Sequence, residues 1–298
     1  MTLVATLIAN PARPAITGSV LTDAREALMT EHPPRLLHHG VAAEFLVDAP
    51  LDQAEMLTAR LEERFAGEPF DVAVLPAGPH RRKRLFLADM DSTMIEQECI
   101  DELADVLGIK AEVAGITECA MRGEIAFEPA LRERVALLKG LNATVVDELI
   151  GTRITLTPGG RTLVATMRAH GAYTCLVSGG FTLFTGPIAS MIGFDETRAN
   201  QLDLTDGQLA GTVAEPIVGA EAKRATLLEL REKLGLSPED TMAVGDGAND
   251  LAMLGEAGIG VAFHAKPAVA AAAKVRIEHG DLTALLYLQG YGAAEFAG

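Results

Sequence analysis

Residues 85–93 read LFLADMDST, four apolar residues that run straight into two carboxylates spaced two apart. A short unbroken apolar run of this kind marks a strand covered on both faces. Period-two geometry in an extended segment then points Asp89 and Asp91 to the same side. Two later apolar runs end in equally loaded sequence: 173–177 leads into Ser178, Gly179 and Gly180, and 241–244 leads into Gly245, Asp246, Gly247, Ala248, Asn249 and Asp250. Helical spacing fills the intervals at 162–169, from Phe181 onward, at 222–234 and at 249–257, with a further strand at 259–263 and an Ala-rich helix from Pro267. Strands that alternate with helices predict a doubly wound parallel sheet with a Rossmann-like core. Open sheets of that class bind ligands at the carboxyl ends of their strands, which is where these residues lie. Residues 199–214 alternate about Thr205, Asp206 and Gly207, a hairpin signature.

Outward from this frame, 95–150 is helical, interrupted at Gly108, Gly123 and Gly140, with no convincing strand. A helical block inserted directly after the first strand is expected to be a lid. The first eighty residues follow another rhythm: apolar 3–9, a helix over 21–29, a strand over 35–47, a helix with Leu57, Leu61 and Phe65 on one face, and a strand over 70–75. This βαβαβ reading predicts a small α+β module. The basic run His80, Arg81, Arg82, Lys83, Arg84 follows Pro79 and reads as a solvated linker. The expected domains are therefore 1–80 and 81–298, with the cap inserted at about 95–157.

Charge excludes several function classes. The 298 residues carry 25 basic and 41 acidic side chains, a net charge of −16, which argues against a nucleic-acid surface. No apolar run approaches a membrane span, and the N-terminus lacks the basic region of a leader, so a cytoplasmic protein with no membrane partner is expected. Cys99, Cys119 and Cys175 are sparse and odd in number, which speaks against a disulfide framework or a zinc site.

The strand ends also carry chemistry. Asp89, Asp91, Asp246 and Asp250 converging without compensation would repel one another, so a cation is implied, and oxygen-only ligands favour Mg2+. An ionised Asp beside Mg2+ and a Lys can attack phosphorus. A second Asp two residues on can protonate the departing alkoxide and then deprotonate water. Ser178 with the amides of Gly179 and Gly180, near the start of a helix, would bind phosphoryl oxygens.

These stretches resemble the phosphatase branch of the haloacid dehalogenase superfamily and, within it, the family that hydrolyses phosphoserine. The resemblance runs from Leu85 to about Leu288 and is carried by FLADMDSTM, LVSGGF, GAEAKRATLL and AVGDGANDLAML. It implies that Asp89 is the nucleophile, Asp91 the acid/base, and Lys223 a partner of nucleophile and phosphate. It implies a Mg2+ held by Asp89, the Asp91 backbone carbonyl and Asp246, with Asp250 in support. In the cap, EQECIDELA and AMRGEIAFEPALRERVALLKG resemble the segments that select an amino-acid ester. Glu98 would meet the substrate ammonium, Arg134 its carboxylate, and Met121 and Phe127 its apolar side, while Ser178, Gly179 and Gly180 would hold the phosphate and Asn249 would contact substrate.

The activity so implied is hydrolysis of O-phospho-L-serine to L-serine and phosphate, the last step of serine synthesis, with a small molecule as partner. A phosphotransferase or mutase acting on another small ester is the alternative, and a catalytically silent amino-acid sensor is a reading from another class. His264 is expected to be structural. The N-terminal module stands where relatives carry a ferredoxin-like, ACT-like sensing domain. Serine sensing there rests on fold analogy alone; dimer contact, giving a homodimer, or simple stabilisation are the other readings.

Overall fold

The computed structural model describes residues 2–121 and 124–298. The N-terminal module runs β1 (Thr2–Ile8), α1 (Gly18–Leu28), β2 (Arg35–His38), β3 (Ala42–Asp48), α2 (Ala54–Arg64) and β4 (Asp71–Pro76). Its strands form an antiparallel sheet in the order β2-β3-β1-β4, the βαββαβ arrangement of ferredoxin-like folds. The single strand expected over 35–47 is thus corrected to a hairpin. Its turn closes at Gly40, which has φ 73° and whose Cβ position lies 3.1 Å from the Pro14 Cβ, so backbone freedom and close approach both require glycine there.

The larger region begins at β5 (Leu85–Ala88) and continues through α3 (Cys99–Val106), α4 (Lys110–Met121), α5 (Phe127–Leu137) and α6 (Val145–Thr152). It returns through α7 (Gly160–Ala169), β6 (Tyr173–Phe181), α8 (Thr182–Ile192), β7 (Glu196–Asn200), β8 (Leu202–Thr205), β9 (Gln208–Val213) and α9 (Ala220–Lys233). The closing elements are β10 (Thr241–Gly245), α10 (Leu251–Glu256), β11 (Ile259–Phe263), α11 (Pro267–Ala272), β12 (Val275–Ile277) and α12 (Ala284–Leu288). Six strands pair in parallel in the order β12-β11-β10-β5-β6-β7. The chain therefore winds outward one way through β6 and β7 and the other way through β10 to β12. The order reverses between β5 and β10, and that crevice is where such sheets place ligands.

Alternate residues of each central strand enter opposite cores. Phe86, Ala88 and Val244 face one, Leu85, Leu87 and Ala243 the other, which is why these strands read as unbroken apolar runs. Helices α3 to α6 form the cap. Its two connections zip together through an Ile95–Leu156 bridge and the bonds Glu96 N to Thr155 O and Thr157 N to Met94 O, both 3.0 Å. The β8–β9 hairpin turns through Asp206 and Gly207, with φ 50° and 78°, the backbone of a type I′ turn. It props the cap through Gly140 N to Leu209 O and Leu209 N to Leu141 O, both 2.8 Å.

The basic run is not a solvated linker. Arg81 donates to Glu44 Oε2 at 2.6 Å and to the Leu288 carbonyl at 3.1 Å. The Lys83 ammonium is buried against the carbonyls of His80 and Glu239 at 2.8 and 2.6 Å, and Arg82 lies over the Tyr291 ring at 4.0 Å. A run of four cations after a histidine looks solvated by count, but here distant acceptors satisfy Arg81 and Lys83, the two least exposed of them. The module is fastened at a second point, where buried Asp71 accepts backbone N–H bonds from Glu278 and Gly280, each 2.7 Å, and from His279 at 3.1 Å. Three consecutive amides thus form a nest around one carboxylate. Ile8, Val41, Ala42 and Ala73 join the core of the parallel sheet, while α1 and α2 cover the other face of the module.

Candidate active site

Asp89 leaves β5 and Asp246 leaves β10, so the two carboxylates emerge from neighbouring strands at the reversal point. Lys223, on the first turn of α9, is fully buried beneath them and its Nζ lies 2.7 Å from Asp89 Oδ1 and 2.8 Å from Asp250 Oδ1. Met90 N also donates to Asp89 Oδ1, at 2.8 Å. That oxygen is held on two sides, and Asp89 Oδ2 has no protein hydrogen bond among the described residues. Asp250 is pinned further by Gly247 N at 3.0 Å. It packs so closely that a Cβ at Gly245 would fall 2.3 Å from the Asp250 Cγ, hence glycine at the end of β10.

Oxygens of Asp89, Asp246 and Asp250 lie within 4.8 Å of one another. When ionised, these three carry −3 against the +1 of Lys223, leaving −2, the charge a divalent cation offsets. The electrostatics record that deficit. Burial, then repulsion from Asp250, pushes Asp89 well above the ordinary carboxylate range. Burial, then Asp250 and Glu98, pushes Asp246 up to about 6. For Lys223, burial favours the neutral amine, but Asp89 and Asp250 outweigh it and hold the ammonium above its ordinary value. The donor set is all oxygen and carries excess negative charge, so it fits a hard divalent cation.

Asp91 stands across the same opening. Its Oδ1 accepts from Cys99 N at 3.0 Å, at the N-terminus of cap helix α3. Burial, then Glu98, raises its pKa to about 7, the range in which one carboxyl can both give and take a proton near neutrality. Gly180 is required beside it, because a Cβ there would sit 2.8 Å from Asp91 Oδ2 and 3.0 Å from Ser178 Oγ. Ser178 is fully buried and its Oγ accepts from Gly180 N at 2.8 Å, which leaves the hydroxyl proton available to a phosphoryl oxygen.

These groups open into one cavity of about 550 Å³. Asp89, Asp91, Ser178, Gly179, Gly180, Asp246 and Asn249 line its floor, and Glu98, Phe127 and Arg134 line it from the cap. Ser92 Oγ donates to Glu98 Oε1 at 2.6 Å. Arg134 is half-buried on α5 and faces α4 through Thr117, and Phe127 packs over Gly179 and Gly219, whose Cβ positions would each lie 3.3 Å from its ring. Lys223 and Asp250 lie under the floor. The Met121 side chain lies outside the described residues. His264 donates through Nε2 to the Gly280 carbonyl at 2.8 Å and stacks on Phe263, turned to the loop that grips Asp71.

Three contributors escaped the sequence reading. Thr93 Oγ1 donates to Asp246 Oδ1 at 3.2 Å; its place two residues after Asp91 could have marked it. Buried Asn200 donates to the Gly179 and Val218 carbonyls at 2.8 and 3.2 Å and accepts from Val218 N at 2.7 Å, tying the Ser178–Gly180 turn to the approach of α9. Lys266 lines the cavity. Neither of the last two carries a local sequence signal.

A family model described as haloacid dehalogenase-like hydrolase matches residues 86–255. A phosphoserine phosphatase from a Polaromonas species is 51% identical over 210 residues, 69% of this chain and 89% of that protein. The crystal structure of a probable phosphoserine phosphatase from Vibrio cholerae superposes with a TM-score of 0.79 at 31% identity, covering 99% of this chain and 88% of that one. A phospho-aspartyl intermediate analogue of phosphoserine phosphatase is 40% identical, with a TM-score of 0.65 over 69% of this chain and 98% of that one.

Proposed function

The chain belongs to the haloacid dehalogenase-like hydrolases and, within them, to the phosphoserine phosphatases, and from that premise we propose how its own residues hydrolyse O-phospho-L-serine. An Asp89 carboxylate oxygen attacks phosphorus, the bond to the serine oxygen breaks, and Asp91 delivers its proton to that oxygen, releasing L-serine and leaving an aspartyl phosphate. Asp91 then takes a proton from water, which attacks the aspartyl phosphate, frees inorganic phosphate and restores Asp89. Lys223, Ser178 and the Gly179 amide bind the phosphoryl oxygens as charge builds on them, and Gly180 acts through its N–H, which holds the Ser178 hydroxyl in place.

Asp89, Asp246 and the Asp91 backbone carbonyl would hold the divalent cation, Mg2+ for a hard oxygen set, with Asp250 in support. When bound it would neutralise the phosphoryl charge and orient the ester for attack. Opposite the floor, Glu98 pairs with the substrate ammonium and Arg134 with its carboxylate, while Phe127 and Met121 supply the apolar side and Asn249 contacts substrate. The charges select a zwitterion: one acid, and one guanidinium able to bind two oxygens.

We take residues 1–80 as an ACT-like module and 81–298 as the phosphatase, with its cap at about 95–157. The module is also our candidate homodimer contact. The substrate, an intermediate of serine biosynthesis, is the ground for a cytoplasmic setting. Among the described residues no helix is long and apolar enough to cross a membrane.

The observation that carries this reading is Asp89 pinned by buried Lys223 beneath a cavity whose cap presents Glu98 and Arg134. A phosphate-release panel over phosphorylated amino acids and sugars, with and without Mg2+, tests it. Phosphoserine should be turned over preferentially and only with the metal, and Asp89→Asn should abolish turnover. Normal turnover by that variant excludes the mechanism, and a preference for sugar phosphates excludes the roles given to Glu98 and Arg134.

A further inference from the structure

Arg134 does not enter the cavity as a loose side chain. Its Nε donates to the Ala130 carbonyl, one turn back on α5, and its Nη1 donates to Thr117 Oγ1 on α4, both at 3.2 Å. Thr117 lines the same cavity. A threonine hydroxyl carries one proton, and Thr117 donates it to the Val113 carbonyl at 3.1 Å. Toward Arg134 it can therefore only accept. A guanidinium has five N–H donors. The two used here lie on Nε and on one side of Nη1. One N–H on Nη1 and both on Nη2 are left for the two oxygens of a carboxylate.

The acceptor has a second consequence. Asp101 and Glu98 are the negative charges that act on Arg134, and Glu98 lines the cavity beside it. A guanidinium released from Thr117 has an acid to swing toward, and pairing with Glu98 would occupy both groups that read the zwitterion. We propose that Thr117 is a positioning residue for substrate recognition, holding the guanidinium of Arg134 so that its remaining edge meets the substrate carboxylate and stays off the acids of α3. This rests on the reading of Arg134 as the carboxylate partner.

The test compares kcat/KM for O-phospho-L-serine with that for O-phosphoethanolamine, which keeps the phosphate and the ammonium and lacks the carboxylate. Thr117→Val conserves shape and removes the acceptor, and it should lower the ratio about 3- to 10-fold, the net worth of one ordinary hydrogen bond, because the lost contact acts on substrate only through Arg134. The fall should appear mainly in KM for phosphoserine. Thr117→Ser should restore the ratio, which a packing defect would not allow. In an Arg134→Ala background, Thr117→Val should leave the ratio where Arg134→Ala alone puts it. If Arg134→Ala lowers the ratio and Thr117→Val does not, the positioning role is overturned and the reading of Arg134 survives. If Arg134→Ala leaves the ratio at the wild-type value, that reading fails and the role of Thr117 falls with it.

Discussion

Replacing Lys223 by Met removes the cation under the site while keeping an unbranched stem of similar length. Its ammonium lies 2.7 Å from Asp89 and 2.8 Å from Asp250, and all three side chains are buried. Taking away one partner of a buried ion pair costs about 3–5 kcal/mol, because the charge left behind stays desolvated and unpaired. Protons limit that cost. Burial and Asp250 already raise Asp89 well above its ordinary value, and without the ammonium it rises further. A carboxyl whose folded pKa lies above its unfolded one carries no penalty below the unfolded value and the full penalty above the folded one. The variant should therefore lose most at alkaline pH and recover as the pH falls. Urea unfolding with a chelator present should give a wild-type minus variant difference of about 3–5 kcal/mol at pH 8. That difference should shrink toward pH 5, by at most about 1.4 kcal/mol per pH unit for each proton taken up. With metal and phosphoserine, turnover should drop by about 100- to 1,000-fold, the size of effect seen when a charge-stabilising donor is lost. A stability difference below about 1 kcal/mol at pH 8, or one that does not change with pH, would refute the account of Lys223 as the shared counter-charge.

Two other substitutions probe the supports around the site. Asp71→Ala leaves three backbone amides of the 278–280 loop without their acceptor and should cost about 2–4 kcal/mol. The urea midpoint should fall with the slope unchanged, and an unmoved midpoint would show that water replaces the carboxylate at no cost. Gly180→Ala puts a methyl group 2.8 Å from Asp91 Oδ2. Ordinary contact begins at 3.4 Å, so the carboxyl must give by about half an ångström, and with about 100-fold for a 1 Å misplacement kcat/KM should fall by about 10-fold while the melting temperature stays near wild type. Near-normal turnover would mean that Asp91 tolerates the shift and is not held where the acid must act.

The catalytic sheet was legible in the sequence because its signals are local. An apolar run that ends in LFLADMDST, LVSGGF or AVGDGAND states both a buried strand and the chemistry at its carboxyl end, so the side chains that line the floor could be named before their neighbours were known. The cap was legible as helix for the same reason, and the hairpin at 202–213 through its turn residues. The strand over 35–47 was misread because its turn, His39–Gly40, interrupts an otherwise extended pattern without a strong breaker pair.

Sequence alone thus determined the alternation of strands and helices beyond Leu85, the doubly wound class and the carboxylates at the strand ends, all of which follow from periodicity and loop chemistry over a few residues. Only the tertiary structure decided where the buried charges find their partners. Arg81 meets Glu44, Lys83 meets the Glu239 carbonyl and Asp71 meets amides of 278–280 across separations of 37, 156 and 207 to 209 residues. The same holds for Asn200 on Gly179, for Thr117 on Arg134 and for the net charge of the acidic cluster. The physical reason is that burying a polar group without a partner is costly, and nothing in the local pattern says which distant segment will supply it.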